Sequence, residues 1–369
     1  MKNELKELVK LFLKLGSIAF GGSAAHIAMM EDEVVRKRKW MSEQHFLDLV
    51  GATNLIPGPN STEMTMHCGH ERAGILGLIV AGVSFILPAV TITMILAWLY
   101  TSYGQIPEVE PYIYGIKPAV IAIILGAAYR LGNIALKSVE LFVLGTLTLI
   151  VTLYGVHEIL ALFACGLVGL LLYSARNRKK TLQSFAPIIL FQVIASLSTV
   201  KIFITFLKVG AVLYGSGYVL FAFLDAELVN AGLLSREQLM DAVAVGQFTP
   251  GPVLSTATFI GWQLNGFWGA LAATFGIFLP SFIFVALLNP LISKIRQSPY
   301  ISAFLDAINI AAVAVIIAVL IEMSLDALID WKTILIAIVS IITVFVFKKV
   351  NSAFIVLGGA FIGFILTLI

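Results

Sequence analysis

The chain has 369 residues, of which 59% are hydrophobic and 12% charged, against roughly 45–50% and about 25% in soluble domains. That balance excludes an ordinary soluble domain and predicts an integral membrane protein. The net charge of +3 is too small to imply nucleic acid as a partner, and where the cations sit matters more than their sum.

A helical bilayer crossing takes about 20 apolar residues, and ten segments are expected to make one. The opening stretch MKNELKELVKLFLKLGS mixes acids with bases and lacks a small-residue cleavage site, so it reads as retained. The first expected span covers about 8–30 and is interrupted by glycines. Next come 73–100, 112–129, 141–154 and 159–173. A second glycine-interrupted span covers about 200–223, followed by 267–292, 303–323, 333–347 and 353–369. Cys68 and Cys165 lie far apart in apolar surroundings and read as buried thiols, with neither a disulfide nor a metal site implied. There is no nucleotide-binding loop of the Walker type, so neither ATP nor any other cofactor is expected.

Self-similarity organises the whole chain. FLKLGSIAFGG (12–22) matches FLKVGAVLYGS (206–216), and MSEQHFLDLVGATNLIPGP (41–59) matches LSREQLMDAVAVGQFTPGP (234–252). Glu33 then falls on Glu227. Gly69, Gly74, Gly77 and Pro88 fall on Gly261, Gly266, Gly269 and Pro280, and GIKPAVIAII (115–124) echoes AINIAAVAVI (307–316). The basic runs at 36–39, 176–180, Lys294 with Arg296, and Lys348 with Lys349 are all expected to face the cytoplasm. If 44–66 and 237–258 dip in and return, and 185–198 lies at the interface, five spans separate the two repeat starts. An odd number makes the repeats inverted, and this count places the N-terminus outside. The fold class is thus an all-α polytopic membrane protein built from two inverted repeats with broken or re-entrant helices and about ten spans.

Both copies carry Pro-Gly-Pro inside apolar sequence. Proline removes a donor and pushes the preceding residue out of helical geometry, so each segment is a kink or a re-entrant break. Irregular backbone at membrane depth belongs where protein buries it or where it lines a watery cavity. A helix starting after Pro59, with Asn60, Ser61 and Thr62 in its first turn, presents free N–H groups and a positive dipole end suited to an anion. Ser255 and Thr256 would approach from the other half. Broken helices that meet between inverted repeats form the substrate sites of secondary transporters, and two such ends suit a small tetrahedral oxyanion. Gly58, Thr249 and Gly251 belong to the breaks themselves. Asn54 and Gln247, just before them, could donate amide hydrogen bonds to a ligand or satisfy freed carbonyls. Gly21 and Gly22 of FGGSAAH interrupt the first span and serve either close ligand approach or helix packing.

Among ionisable groups, Glu33 and its counterpart Glu227 are candidate proton carriers. Glu63 lies in the first turn after the break with His67 at i+4. It could compensate the dipole or exchange a proton against the anion. His26 follows the first glycine break and titrates near neutrality. Arg72, Lys117 and Arg130 are the bases nearest the spans of the first half. Lys117, beside Pro118, is the candidate to meet a dianion, with snorkelling to the interface as the alternative.

These residues carry a family resemblance. FLKLGSIAFGGSAAHIAMMEDEVV, KWMSEQHFLDL, NLIPGPNSTEMTMHCGHERAG and FILPA resemble the first domain of the chromate ion transporter family. FLKVGAVLYGSGYVLFAFLDAELV, LLSREQLMDAVAVGQFTPGPVLSTATFIGWQLNG and GIFLPSF resemble its second. The chain departs from the family pattern at Ser23, commonly proline there, and at Cys68, commonly apolar. The resemblance implies a long-chain, two-domain member. Its first repeat core would cover 1–136, connecting spans and a basic linker 137–200, and the second repeat 201–369. It further implies export of chromate from a bacterial cell through the cytoplasmic membrane, with sulfate as chemical look-alike and proton antiport as a coupling. A homodimer is a further expectation. Expelling a dianion from a negative interior gains roughly 4.6 kcal/mol per 100 mV. Two other readings stay open. One is a permease for sulfate or other oxyanions working inward. The other is a membrane-embedded lipid-pyrophosphate phosphatase, which would want an arginine clamp and metal-supporting carboxylates that neither loop carries. No enzymatic activity is therefore expected.

Overall fold

The computed structural model describes residues 2–19, 23–53, 56–103, 110–176, 199–214, 217–288, 298–347 and 350–368. Among these residues all regular structure is helical. The first half comprises α1 (Lys2–Ile18), α2 (Ser23–Glu31), α3 (Glu43–Thr53), α4 (Asn60–Tyr103), α5 (Glu110–Ala135), α6 (Val139–Leu153) and α7 (Glu158–Arg176). The second repeats the order with α8 (Thr199–Val212), α9 (Val219–Leu224), α10 (Arg236–Phe248), α11 (Thr256–Leu288), α12 (Pro299–Ala327), α13 (Trp331–Val346) and α14 (Ser352–Thr367). A π-helical turn follows α2 at Asp32–Lys37 and α9 at Asp225–Val229.

The longest helices, α4 and α11, are hairpins. At Ala73 and Gly74 the backbone leaves helical geometry, with φ of −149° and 62°, and Asn265 and Gly266 do the same at −154° and 53°. The chain folds back so tightly that a Cβ on Gly69 would lie 2.3 Å from the Gly77 carbonyl oxygen, and one on Gly261 would lie 2.3 Å from that of Gly269. Only glycines permit arms to touch this closely. The four glycines matched between the repeats are therefore the contact points of two equivalent helical hairpins.

Two ends of the molecule follow from the contacts. Thirteen residues of α5 separate Lys117 from Arg130, roughly 20 Å along the axis. At the Lys117 end, Lys117 pairs with Glu237, Tyr100 bonds Asp241, Trp262 bonds Thr101, and Asn265 bonds Thr199. At the Arg130 end, Lys137 pairs with Asp306 and Arg176 with Glu140. The second arm of α4 runs roughly 40 Å from Gly74 to the Lys117 end, which puts the hairpin turn at the Arg130 end. There Arg72 pairs with Glu7 and, with Arg38, covers the Trp40 ring.

The start of α1 therefore lies at the Arg130 end, and the start of α8 at the Lys117 end. Equivalent points of the two repeats sit on opposite faces, so the repeats are inverted. Two expected spans turn back instead of crossing. Glu33 returns to Lys14, and Glu227 returns to Lys208, so 8–30 and 200–223 each enter and leave on one face. The N-terminus accordingly shares a face with Arg36, Lys37 and Arg38, not the opposite face that the span count placed it on. The segment 185–198 lies outside the described residues. Arg176 and Thr199, the described residues on either side of it, are at opposite faces, as the inverted arrangement requires.

The halves interlock. Helices α6 and α7 pack on α12 of the other half, and α13 and α14 pack on α5, while α4 and α11 meet centrally. A Cβ on Gly115 of α5 would lie 2.1 Å from the Gly359 carbonyl oxygen of α14, another small-residue crossing. Helices α4, α5, α7, α12 and the 253–287 stretch are long and apolar enough to cross a bilayer, and α6, α13 and α14 are shorter apolar helices. Leu76, Ile79, Val83 and Leu87 on α4, and Phe267, Trp268, Phe275 and Leu279 on α11, are exposed. They form the apolar outer surface of a multi-pass membrane protein.

Candidate functional site

The two Pro-Gly-Pro segments end the inward helices α3 and α10 and precede the outward arms of α4 and α11. Gly58 has φ of 139° and Gly251 of 93°, values that side-chain-bearing residues avoid. Each glycine uses this conformation to reach across the molecule. Gly58 donates its N–H to the Leu213 carbonyl at 2.7 Å, and Gly251 donates to the Ala19 carbonyl at 2.8 Å. Both acceptors lie at the end of the other half's broken helix. Each break is therefore stitched to the opposite repeat, and carbonyls freed where α1 and α8 stop are satisfied.

Beyond Pro59, the N–H groups of Thr62 and Glu63 both turn back to the Pro59 carbonyl, at 2.8 and 3.0 Å. The first turn of α4 thus points its N-terminal end, with Asn60 and Ser61, into a cavity of about 580 Å³. Ser23 and His26 of α2, Tyr218, and Val253 and Leu254 of the second break line it. Its mouth is the end of α5 and the start of α12, with Arg130, Lys137, Ser302, Asp306 and Asn309. Lys137 is held by Asp306 at 2.7 Å. Arg130 has no ion pair among the described residues and is the cation this cavity can offer an anion. His26 donates from Nε2 to the Ala19 carbonyl at 3.0 Å, the carbonyl that also receives Gly251. That bond leaves Nδ1 without a partner among the described residues.

Behind the cavity wall the breaks hold a group of buried polar atoms without hydrogen-bond partners among the described residues. They are Thr62 Oγ1, both oxygens of Glu63, Gln247 Nε2, Ser255 Oγ and Ser281 Oγ. Such orphans are rare in folded proteins and mark places that bind water or ligand. Glu63 is fully buried and packs against Gly58 so closely that a Cβ there would be 2.1 Å from its Oε1 and 2.4 Å from Ser281 Oγ. No cation lies within ion-pairing distance of it among the described residues, so a proton or an incoming cation has to balance its charge.

Of the residues singled out in the sequence, the cavity brings together His26, Asn60 and Ser61. Gly58, Thr62, Glu63, His67, Gln247, Thr249, Gly251, Ser255 and Thr256 are buried around the breaks behind it. Thr249 accepts from Thr93 at 3.3 Å, and Thr256 Oγ1 donates to the Val253 carbonyl at 2.8 Å. Lys117 is elsewhere: it pairs with Glu237 at 3.0 Å at the opposite end of α5 and does not line the cavity. Glu33 is held by Lys14 at 3.2 Å, Lys37 at 3.3 Å and Arg38, and Glu227 by Lys208 and by His157 at 3.2 Å. Gly21, Gly22 and Asn54 lie outside the described residues. The cavity is lined instead by Arg130, the base at the other end of the same helix, and by Tyr218, to which the sequence assigns no role. The signal for Arg130 was its place near the end of a span whose first turns hold Lys117, and only packing reveals which end meets the breaks.

Inverted helical repeats, each broken at mid-depth, with the first turn of α4 and the second break facing one cavity open toward one face, define a membrane transport protein. The chain belongs to the chromate transporter family, whose model matches residues 6–170 and 200–364. It is 32% identical to the chromate transport protein of Cupriavidus metallidurans, over 98% of this chain and 93% of that one. It is 31% identical to a probable chromate transport protein of Synechococcus elongatus, over 98% and 95%. An uncharacterized transporter of Bacillus subtilis matches 43% of this chain at 30% identity over 81% of its own length. No solved structure is significantly similar.

Proposed function

We propose that the protein exports chromate across the bacterial cytoplasmic membrane, in exchange for protons. The observation that carries this reading is the cavity itself. It joins the N-terminal turn of α4, with Asn60 and Ser61, to the guanidinium of Arg130, which has no ion pair among the described residues, and its mouth is on the face that also holds Arg36, Lys37, Arg38, Arg72, Lys137 and Arg176. Backbone N–H groups at a helix start and an arginine fork are complementary to a tetrahedral dianion. The opposite face carries fewer cations among the described residues, Lys117, Lys201, Lys208, Arg236 and Lys332. The positive-inside rule assigns the cation-rich face to the cytoplasm, so the cavity opens inward and loads there. The names of the relatives support chromate as the anion.

Outward movement of a dianion is favoured by the membrane potential by roughly 4.6 kcal/mol per 100 mV. Buried Glu63, beside the break and with no cation at ion-pairing distance among the described residues, is the group in the first repeat suited to carry a proton when the anion leaves. Uptake of labelled chromate into inside-out and right-side-out vesicles tests direction and substrate together, with sulfate as competitor. Export predicts accumulation in inside-out vesicles, accelerated by an acid lumen. Accumulation only in right-side-out vesicles would instead mean an importer, and sulfate uptake without chromate uptake would mean another oxyanion.

A further inference from the structure

The anion cavity occupies one end of α5, and a separate polar assembly occupies the other. Its centre is Asp241 on α10, 6% exposed. Asp241 Oδ2 accepts a hydrogen bond of 2.6 Å from the Tyr100 hydroxyl of α4. Its Oδ1 has no partner among the described residues. A buried carboxylate with one oxygen unsatisfied is costly. Inside membrane proteins such groups lie on ion paths.

Its position suits that role. Helix α10 descends from Arg236 at the Lys117 face to the second break, and Glu237 and Asp241 are one turn apart on the same side. Gln247 lies roughly 9 Å deeper along the axis. Helices α5 and α4 match this descent contact by contact. Lys117 bonds Glu237 at 3.0 Å, Tyr100 bonds Asp241, and Thr93 bonds Thr249 at 3.3 Å. The result is a polar file from the Lys117 face to the break, where the cavity from the opposite face ends at Val253 and Leu254. Glu237, Asp241, Tyr100 and Thr93 do not line that cavity.

We infer that Asp241, with Tyr100, is the proton entry site of the exchange, reached from the Lys117 face and separated from the anion by the two breaks. This rests on the proton-coupled reading above and adds the entry site to it. Among the described residues the charges around Asp241 leave its carboxylate without an ion pair. From α5 it faces Lys117, and from its own helix Glu237, but those two are paired with each other. From α12 come Glu322 and Asp326, and from the π-turn Asp225, all three bound to Arg236. Glu227 is held by Lys208 and His157. Helices α9, α11 and α14 carry no ionisable side chain. The step is one proton taken from water at that face onto the Asp241 carboxylate and released on the cavity side. No other bond changes.

The test uses purified full-length protein in liposomes and labelled chromate. Two rates are compared: counterflow at equal pH, and uptake driven by a pH gradient. The wild type is expected to show both. Asp241→Asn should lose at least tenfold of the gradient-driven rate and keep counterflow within about twofold. Tyr100→Phe should move the pH midpoint of the driven rate upward, because the phenol donates to the carboxylate form. Wild-type gradient drive in Asp241→Asn overturns the inference and leaves the transport reading standing. A wild-type protein indifferent to the gradient, or without chromate counterflow, overturns both. If Asp241→Asn fails to insert, Tyr100→Phe decides, and an unmoved midpoint overturns the inference.

Discussion

Gly58 donates its backbone N–H to the carbonyl of Leu213 at 2.7 Å, and 193 residues later the equivalent Gly251 returns the bond to Ala19 at 2.8 Å. This reciprocal stitch makes the breaks of the two repeats one structure. A shift in either break has to be met by the broken helix of the other half, which is the coupling an alternating-access cycle between inverted repeats requires.

Gly58→Ala should therefore be severe. The φ of 139° is strained for alanine, at about 1–3 kcal/mol, and the new methyl would meet Glu63 and Ser281, adding about 1–3 kcal/mol of overpacking. A fall in thermal stability of the detergent-purified protein, with transport lost in the fraction that still inserts, is the expected outcome.

Arg130→Ala should raise the half-saturating chromate concentration about tenfold or more, since a charge-assisted contact is worth about 1.5–3 kcal/mol. Ser61→Ala should act in the same direction by less. Lys117→Ala, which breaks only the pair with Glu237 at the other face, should leave half-saturation unchanged. Concentration dependence of counterflow measures all three.

Glu33 and Glu227 read in the sequence as candidate proton carriers. Both carboxylates are held by cations at equivalent places, with Lys14 and Lys208 each 19 residues upstream. Removing a carboxylate strands those cations, so Glu227→Gln and Glu33→Gln should each cost about 1–3 kcal/mol, reduced from the fully buried case by partial exposure. The pH dependence of chromate exchange should match the wild type in both variants. A shifted midpoint in either would return that residue to the proton path.

Asp330 gives a stability effect with a defined pH sign. It caps α13 by accepting the Thr333 N–H at 2.8 Å and also receives the Tyr114 hydroxyl. The Thr333 N–H first, and then Tyr114, hold its carboxyl below the ordinary 3.8. A carboxyl depressed on folding stabilises the protein above its unfolded value and loses that contribution as pH falls through the folded one. Asp330→Ala should cost about 1 kcal/mol at neutral pH, and the gap from wild type should narrow below about pH 4.

Much of this was legible in the sequence because the signals were local. Helix breakers inside apolar runs announced the breaks, and matched glycines at 69, 74 and 77 against 261, 266 and 269 announced the repeat. What was not legible depends on tertiary packing. An apolar run broken at Gly21 and Gly22 has the same hydropathy whether it crosses or turns back, so the re-entrant course of α1 and α2 was read as a span. Lys117 and Arg130 share one helix. Which of them meets the anion is decided by α12 and the breaks, not by their own spacing. Asp241 sits in the stretch 237–258 that reads as dipping in and returning, and only packing shows that Tyr100 covers it.

The central claim is that an oxyanion binds between the first turn of α4 and Arg130. Anomalous diffraction at the chromium edge, on crystals of the protein with chromate, tests it most directly. The expected result is one strong peak in the cavity beside Asn60, Ser61 and Arg130, lost in Arg130→Ala. A peak at the Lys117–Glu237 end instead, or one beside Asn60 that survives Arg130→Ala undiminished, would contradict it.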